Sequence, residues 1–387
     1  MNEPNNISSL EALRNEIDAT DRQIVELFKR RMDISDRVAE YKKVTGKPVT
    51  DAARERELLL KVAKLAGEGR ADECRVLYST ILALSRSEQQ RVIGGASSTV
   101  EKIEKALKDT PSMFPDTATV ACQGVEGAYS QIAAQKLFAL PEITYCPTFE
   151  GVFEAIESGE CRYGVVPIEN SIAGTVSSVY DLMHRHSFYI VRSVRIKVDH
   201  CLLSVPGAGI SGIKHIYSHE QAINQCSEFL STLSGVTVTP CANTAAAAKA
   251  VAKAADPTVA ALSSSSCAGI YGLVTLATAV QNNGNNHTRF ICISREPEIY
   301  PGASRTTVMT VTENRPGALY TLLSQFFALG INLVKLESRP IPERDFEFMF
   351  CFDLETPVYS QKLMRLLRSL ESGSESFRYL GSYSETV

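Results

Sequence analysis

The chain has 387 residues, 44% hydrophobic and 22% charged, with a formal net charge of −4. That length holds two or three domains with a sizeable core, and without a basic surplus or a local Lys/Arg run neither nucleic acid nor a membrane surface is an expected partner. No apolar run approaches a membrane span, and the N-terminus MNEPNNISSLEALRNE lacks the charged and apolar regions of an export signal, so a cytoplasmic location is expected. Ten cysteines lie scattered without a CxxC, which reads as reduced thiols in core positions, and the six histidines show no ligand spacing, so no metal is expected.

Residues 8–44 form the first predicted helix. Leu10, Leu13, Ile17, Ile24, Leu27, Ile34, Val38 and Tyr41 recur in alternating steps of three and four, a heptad seam interrupted by Thr20 and Arg31. A lone seam arginine usually bends to the surface, but Lys42 follows about 16 Å along nearly the same face, and two inward cations suit a dianion. Gly46 and Pro48 end this helix. Thr50 or Asp51 caps a second helix through Leu65, Gly67 and Gly69 break it, and a third covers residues 72–92 with Val76, Leu77, Ile81 and Leu84 apolar. A first helix of roughly 55 Å cannot be covered by two short ones, so its seam predicts a second copy of the chain.

Arg54 and Glu55 open helix two just after Asp51, while Ser85 and Gln89 share a face of helix three at i, i+4. Arg14 stands about 25 Å before Arg31 and about 100° around the axis, too far for its own helix's site but within reach of a partner's if two such helices run antiparallel. The set Arg14, Arg31, Lys42, Asp51, Arg54, Glu55, Ser85 and Gln89 resembles the all-helical chorismate mutases, which form an intertwined dimer. The chemistry suits it: rearranging chorismate to prephenate moves no proton, and needs only a held conformer and stabilised charge as the C–O bond breaks. The resemblance implies that Arg31 and the partner's Arg14 grip the carboxylates. Lys42 and Gln89 then face the ether oxygen, and Glu55 the ring hydroxyl with Arg54 and Asp51 in support, while Ser85 is a further substrate-binding residue.

Residues 93–117 read as a linker: GGASS at 94–98 is loose, residues 100–107 form a short helix, and Pro111 and Pro115 stop it. From residue 118 strands and helices alternate, which predicts two α/β lobes around a cleft. The pieces GVEGAYS at 124–130, the polar loop at 167–176, Tyr217, Ser218, His219 and Gln225, and Thr288, Arg289 and Phe290 together resemble prephenate dehydratase. The implied reaction turns prephenate into phenylpyruvate with loss of carbon dioxide and water, and needs a proton at the leaving hydroxyl. By resemblance Thr288 stands at that hydroxyl, and Asn170, Thr175, Ser218, Gln225 and Arg289 hold the substrate. Threonine is a poor acid by its own pKa, and His219 is the alternative donor.

The last segment reads strand, helix from Pro316, strand, strand, helix, strand, a βαββαβ order that predicts a ferredoxin-like α+β fold. Asn314, Arg315, Pro316, Gly317, Ala318 and Leu319, with Glu337, Ser338, Arg339 and Pro340, resemble an ACT regulatory domain of the phenylalanine-binding kind. The expected arrangement is therefore a helical mutase domain at 1–92, a linker at 93–117, a dehydratase domain at 118–300 and an ACT domain at 301–387. Together the resemblances imply an enzyme of phenylalanine biosynthesis taking chorismate and prephenate, inhibited by L-phenylalanine, a homodimer or larger homo-oligomer. No cofactor is expected, since neither step moves hydride or phosphate. Two alternatives remain at this point: a dehydratase whose helical segment only dimerises, and a non-catalytic amino-acid sensor.

Overall fold

The computed structural model describes residues 9–93, 97–312, 314, 316–341 and 347–386. The expected helix start at Ser8, part of the loose linker at 94–96 and Arg315 lie outside the described residues. The chain divides into two compact units, one of residues 1–101, 310–331 and 361–377, the other of residues 102–309, 332–360 and 378–387. No helix among the described residues is long and apolar enough to cross a membrane.

The first unit is helical. Helix α1 (Leu10–Thr45) starts where the Ser9 hydroxyl accepts from the Ala12 amide and stops at Gly46, whose φ of 67° gives the left-handed cap that glycine adopts without steric cost. Helices α2 (Ala52–Ala66) and α3 (Ala71–Ile93) follow; most of the next helix, α4 (Ser98–Asp109), belongs to the second unit. Within α1 only Ser35 and Ala39 are buried. All eight seam residues expected to meet a partner are exposed, from 39% at Val38 to 65% at Leu27. The contacts to α3 come from a neighbouring stripe, Arg31, Ser35 and Lys42. Arg31 is therefore not a break in the apolar seam but part of a polar stripe beside it.

The second unit carries two lobes. In chain order its elements are β1 (Thr117–Gln123), α5 (Tyr129–Leu137), β2 (Leu140–Cys146), α6 (Phe149–Glu157), β3 (Tyr163–Asn170), β4 (Gly174–Thr175), α7 (Ser177–Arg185) and β5 (Tyr189–Lys197). The second lobe adds β6 (Cys201–Ser204), β7 (His215–Ser218), α8 (Glu220–Gln225), α9 (Ser227–Ser231), β8 (Thr237–Pro240), α10 (Thr244–Ala254), β9 (Val259–Ser263), α11 (Ser266–Tyr271) and β10 (Val274–Ala277). The chain then returns to the first lobe as β11 (His287–Ser294). In the first lobe β2, β1 and β3 run parallel and β11 and β5 add antiparallel. The second has its own sheet, β10-β6-β9-β7-β8. The chain crosses between the lobes where β5 leads into β6, and a second crossover, residues 278–286, brings it back. Each lobe keeps its own core, one around Val120, Tyr163, Val194 and Phe290, the other around Leu203, Ala248, Val251 and Ala261. The alanines on the buried face of α10, capped by Asn243 accepting from the Ala246 amide, let it lie close on its sheet.

The remaining elements are β12 (Arg305–Val311), α12 (Ala318–Ala328), β13 (Asn332–Pro340), β14 (Phe348–Glu355), α13 (Gln361–Gly373) and β15 (Ser376–Thr386). The order βαββαβ is as expected, and the strands lie in the order β13-β14-β12-β15. Two expectations change. Pro316 and Gly317 precede α12 rather than opening its first turn, with Gly317 in the left-handed region at φ 82°. Residues 301–387 also do not form a compact unit of their own. Strand β15 pairs in parallel with β5, matching Ser384 to Arg192, and so continues the first lobe's sheet, whereas α12 and α13 contact α3.

Gly381 allows that join. Its φ is +138°, and an added Cβ would stand 2.1 Å from the Ile190 carbonyl oxygen on β5. Gly381→Ala is expected to cost about 2–3 kcal/mol as strand and backbone are forced apart. Urea unfolding would read it as a lower midpoint, and an unchanged midpoint would contradict this strand pairing.

Candidate active sites

The helical unit gathers a cluster of polar side chains between α1 and α3. Positions 31, 35 and 42 share one face of α1, and 85 and 89 share one face of α3. Arg31 Nη1 donates to Ser85 Oγ at 2.5 Å, Lys42 Nζ donates to Gln89 Oε1 at 3.0 Å, and Gln89 Nε2 donates to Ser35 Oγ at 3.1 Å. A second Lys42 proton goes to the Val49 carbonyl at 2.6 Å. An ammonium has three protons and an amide nitrogen two, so Lys42 and Gln89 each keep one proton for a ligand. Burial lowers the pKa of Arg31, and at any ordinary pH the guanidinium stays charged.

Other expected members lie elsewhere. Asp51 caps α2, accepting from the Arg54 amide at 2.9 Å. Arg54 turns outward and pairs with Glu57 at 2.9 Å, so it does not support Glu55. The cation at Glu55 is Arg86, which holds both carboxylate oxygens at 2.6 and 2.7 Å. Arg14 is exposed and makes no hydrogen bond or ion pair among the described residues.

In the second unit Pro167 shapes the dehydratase-like site. It has no N–H for the β3–β11 ladder, and the register slips beside it, with Pro167 opposite Phe290 but Glu169 opposite Arg289. Such a bulge re-aims the side chains that follow, and here it sets Asn170 opposite Thr288. The Asn170 Oδ1 accepts from the Ile172 and Ala173 amides at 3.1 and 2.9 Å, which fixes the amide's orientation from the backbone. Its Nδ2 therefore faces Thr288 Oγ1 at 2.9 Å, Asn286 Oδ1 at 2.7 Å and the His287 carbonyl at 3.2 Å. Asn286 passes the polarity on, donating from Nδ2 to Gln225 Oε1 at 3.0 Å, and His200 Nε2 lies 3.0 Å from the same oxygen.

Gln225 is also in the wall of a cavity of about 540 Å³ between the lobes, with Ile172, Ala173, His219, Gln221 and Gln281. His219 caps α8, its Nδ1 accepting from the Gln221 amide at 3.3 Å. Gly127, at φ +85°, comes so close to α11 that a Cβ there would sit 2.7 Å from Cys267 Sγ. Among the described residues no group of three or more His, Cys, Asp or Glu side chains converges as a metal site requires.

Three expected substrate contacts have other work. Ser218 is fully buried and donates to the Leu262 carbonyl at 2.8 Å, a bond within the second sheet. Arg289 is 3% exposed, 2.5 Å from Asp353 and 2.9 Å from Glu169. Burial works against its charge, but Asp353 and its neighbours outweigh that and raise its pKa. A guanidinium so enclosed ties β11 to β14. Thr175 donates to Glu337 at 2.8 Å. Glu337 alternates on β13 with Lys335, paired with Glu169 at 2.6 Å, and Arg339, paired with Asp181 at 2.9 Å and donating to Ser177 Oγ. Ser338 and Pro340 lie on the exposed side of that strand; Pro316 and Gly317 are exposed and Ala318 and Leu319 half-buried.

The Prephenate dehydratase family model matches residues 120–298 and the Chorismate mutase type II model residues 13–90. The bifunctional chorismate mutase/prephenate dehydratase of Escherichia coli K12 is 32% identical over 97% of this chain and 96% of its own length. The chain belongs to that bifunctional family. It is an enzyme of phenylalanine biosynthesis with an isomerase and a lyase activity. Among solved structures, one described as GqqA, a novel type of quorum-quenching acylase, superposes with a TM-score of 0.64 at 30% identity, covering 69% of this chain and 98% of that one. A prephenate dehydratase from Arthrobacter aurescens, solved with L-Phe, does so with a TM-score of 0.62 at 29% identity, covering 69% and 90%.

In this bifunctional mutase–dehydratase four further side chains, given no role from the sequence, join these networks. Ser35 and Arg86 lie one turn from residues that were named, and their helical spacing was the available signal. Asn286 precedes the Thr288 motif by two. His200 had no local signal, since a crossover brings it to Gln225.

Proposed function

We propose that residues 1–92 rearrange chorismate, residues 118–300 convert prephenate to phenylpyruvate, and residues 301–387 are an ACT segment taking L-phenylalanine through 314, 316–319 and 337–340. The strand order β13-β14-β12-β15 supports a ferredoxin-like reading of that segment. In the mutase pocket Arg31, beside Ser85, holds a carboxylate. The remaining protons of Lys42 and Gln89 meet the ether oxygen as charge develops on it. Glu55, held by Arg86, takes the ring hydroxyl. The partner's copy of the exposed Arg14 completes the site in a homodimer, whose contact is the exposed α1 seam.

The observation that carries the dehydratase reading is the direction of the amide chain. Because Thr288 Oγ1 accepts from Asn170, the threonine's own proton is free for the leaving hydroxyl. Decarboxylation sends the C–C electron pair into the ring, the ring expels the hydroxyl, and one proton taken up there makes water. Thr288 relays that proton rather than storing it.

Phenylalanine acts through strand β13. Lys335, Glu337 and Arg339 hold Glu169, Thr175 and Asp181, which bracket the loop carrying Asn170, and Arg378 caps the far end of α7 through the carbonyls of Met183, His184 and His186. Inhibition then requires tighter phenylalanine binding to the less active arrangement. A two-step assay on the whole protein tests this. Chorismate is expected to yield phenylpyruvate without added cofactor, and phenylalanine to slow the second step. Asp181→Ala, outside both sites, is expected to keep turnover but raise the phenylalanine needed for half-inhibition about tenfold, a loss of about 1.4 kcal/mol of coupling. Unchanged sensitivity would remove β13 from the route.

A further inference from the structure

We infer that His200 is a positioning residue of the dehydratase site: neutral and protonated on Nε2, it fixes the Gln225 amide so that its NH₂ group faces an acceptor oxygen of prephenate. The inference rests on the cleft cavity being the prephenate site.

His200 and Asn286 lie on the two crossovers that connect the lobes. The crossovers are tied along their backbones, Val198 to the Asn286 carbonyl at 2.8 Å and Val280 to the His200 carbonyl at 3.0 Å. The His200 amide donates to Gln281 Oε1 at 2.9 Å, and Gln281 Nε2 to Asp199 Oδ1 at 2.8 Å. The backbone of His200 is thus held at both its N–H and its carbonyl, and the residue is only 2% exposed.

The protonation follows from the chain of amides. The backbone orients Asn170, Asn170 orients Asn286, and Asn286 donates to Gln225 Oε1. An oxygen that already accepts there can only accept again, so His200 Nε2 at 3.0 Å carries a proton. Its Nδ1 is buried with no hydrogen-bond partner, where an N–H would be costly. Burial also pushes the imidazole pKa down, consistent with the neutral ring. Two donors on Oε1 leave Gln225 one orientation, since a flipped amide would set N–H against both. Its Nε2 is buried and has no hydrogen-bond partner, although Gln225 lines the cavity. A buried donor without an acceptor costs on the order of 1–3 kcal/mol, which an acceptor oxygen of the substrate recovers.

The test compares His200→Phe, which keeps the ring's volume, with His200→Gln, whose amide nitrogen replaces Nε2–H. In the full-length protein His200→Phe is expected to raise KM for prephenate about tenfold or more, with kcat within about threefold and His200→Gln recovering most of the loss. Gln225→Leu is expected to raise KM at least as much. A normal KM in His200→Phe alongside a raised one in Gln225→Leu overturns the role of His200 alone, as does a His200→Gln variant no better than His200→Phe. A normal KM in Gln225→Leu removes the cavity as the prephenate site, and the inference with it. If His200→Phe does not fold, long-range ¹H–¹⁵N correlation on the wild-type imidazole decides: an Nε2–H tautomer supports the assignment, and Nδ1–H or a charged ring overturns it.

Discussion

Asn170→Asp is expected to lower dehydratase kcat/KM by roughly 10²–10³-fold, the usual effect of removing one preorganised donor from an active site, while mutase turnover stays at the wild-type rate. The substitution keeps shape and keeps an oxygen for the Ile172 and Ala173 amides, so the loop remains anchored. What it removes is the donation to Thr288 Oγ1 and Asn286 Oδ1. A carboxylate oxygen there faces two acceptors, Thr288 turns its proton back toward it, and the leaving hydroxyl loses its donor. Asn170→Ala removes anchor and donation together and is expected to be at least as damaging. Steady-state assays with added prephenate separate the two: if the aspartate variant is near normal and the alanine variant is not, Asn170 acts by shaping the loop. A Thr288→Ala variant with near-normal rate would move the proton to another donor, and His219 in the cavity wall is then the group to test.

The parts of the molecule that were legible in the sequence are those encoded over short distances. The 3.6-residue period and Gly46 place the end of the first helix, Thr50 or Asp51 the start of the second, and the polar loop at 167–176 the end of β3. Arg31 was assigned to the apolar seam because a straight helix drifts about 20° per heptad, so a seam spanning more than four heptads cannot share one stripe throughout. The partners of Ser218 and Arg289 were not legible for another reason. A motif conserves a residue type at a spacing, but does not state whether its polar atoms face the cleft or a neighbouring strand. Asp353, the partner that encloses Arg289, lies 64 residues away, and nothing around either residue encodes the pairing. The same holds for β15 on β5, where a strand edge accepts any pattern of suitable twist, and only Gly381 hints at a close approach.

Lys42→Met is expected to lower mutase kcat/KM by at least about 10³-fold, because in the proposed site its ammonium is the charge-assisted donor to the ether oxygen, and Arg14→Ala to lower it by a similar factor. Dehydratase turnover from added prephenate should not change in either, since both residues belong to the helical unit. The two losses arise differently. Lys42 is fixed in its own subunit's pocket by Val49 and Gln89, whereas Arg14 is exposed on a helix whose eight seam residues are uncovered in one chain. If the partner's Arg14 completes each pocket, a mixed dimer of one Arg14→Ala and one Lys42→Met subunit has one pocket lacking both residues and one lacking neither. Coexpressing the two variants in equal amounts forms such dimers as half of the population, so about a quarter of all pockets are intact. The expected result is recovery of about a quarter of wild-type mutase activity from two nearly inactive chains. No recovery, in dimers shown by mass to contain both variants, means that each subunit's pocket is its own and that Arg14 acts within its own chain.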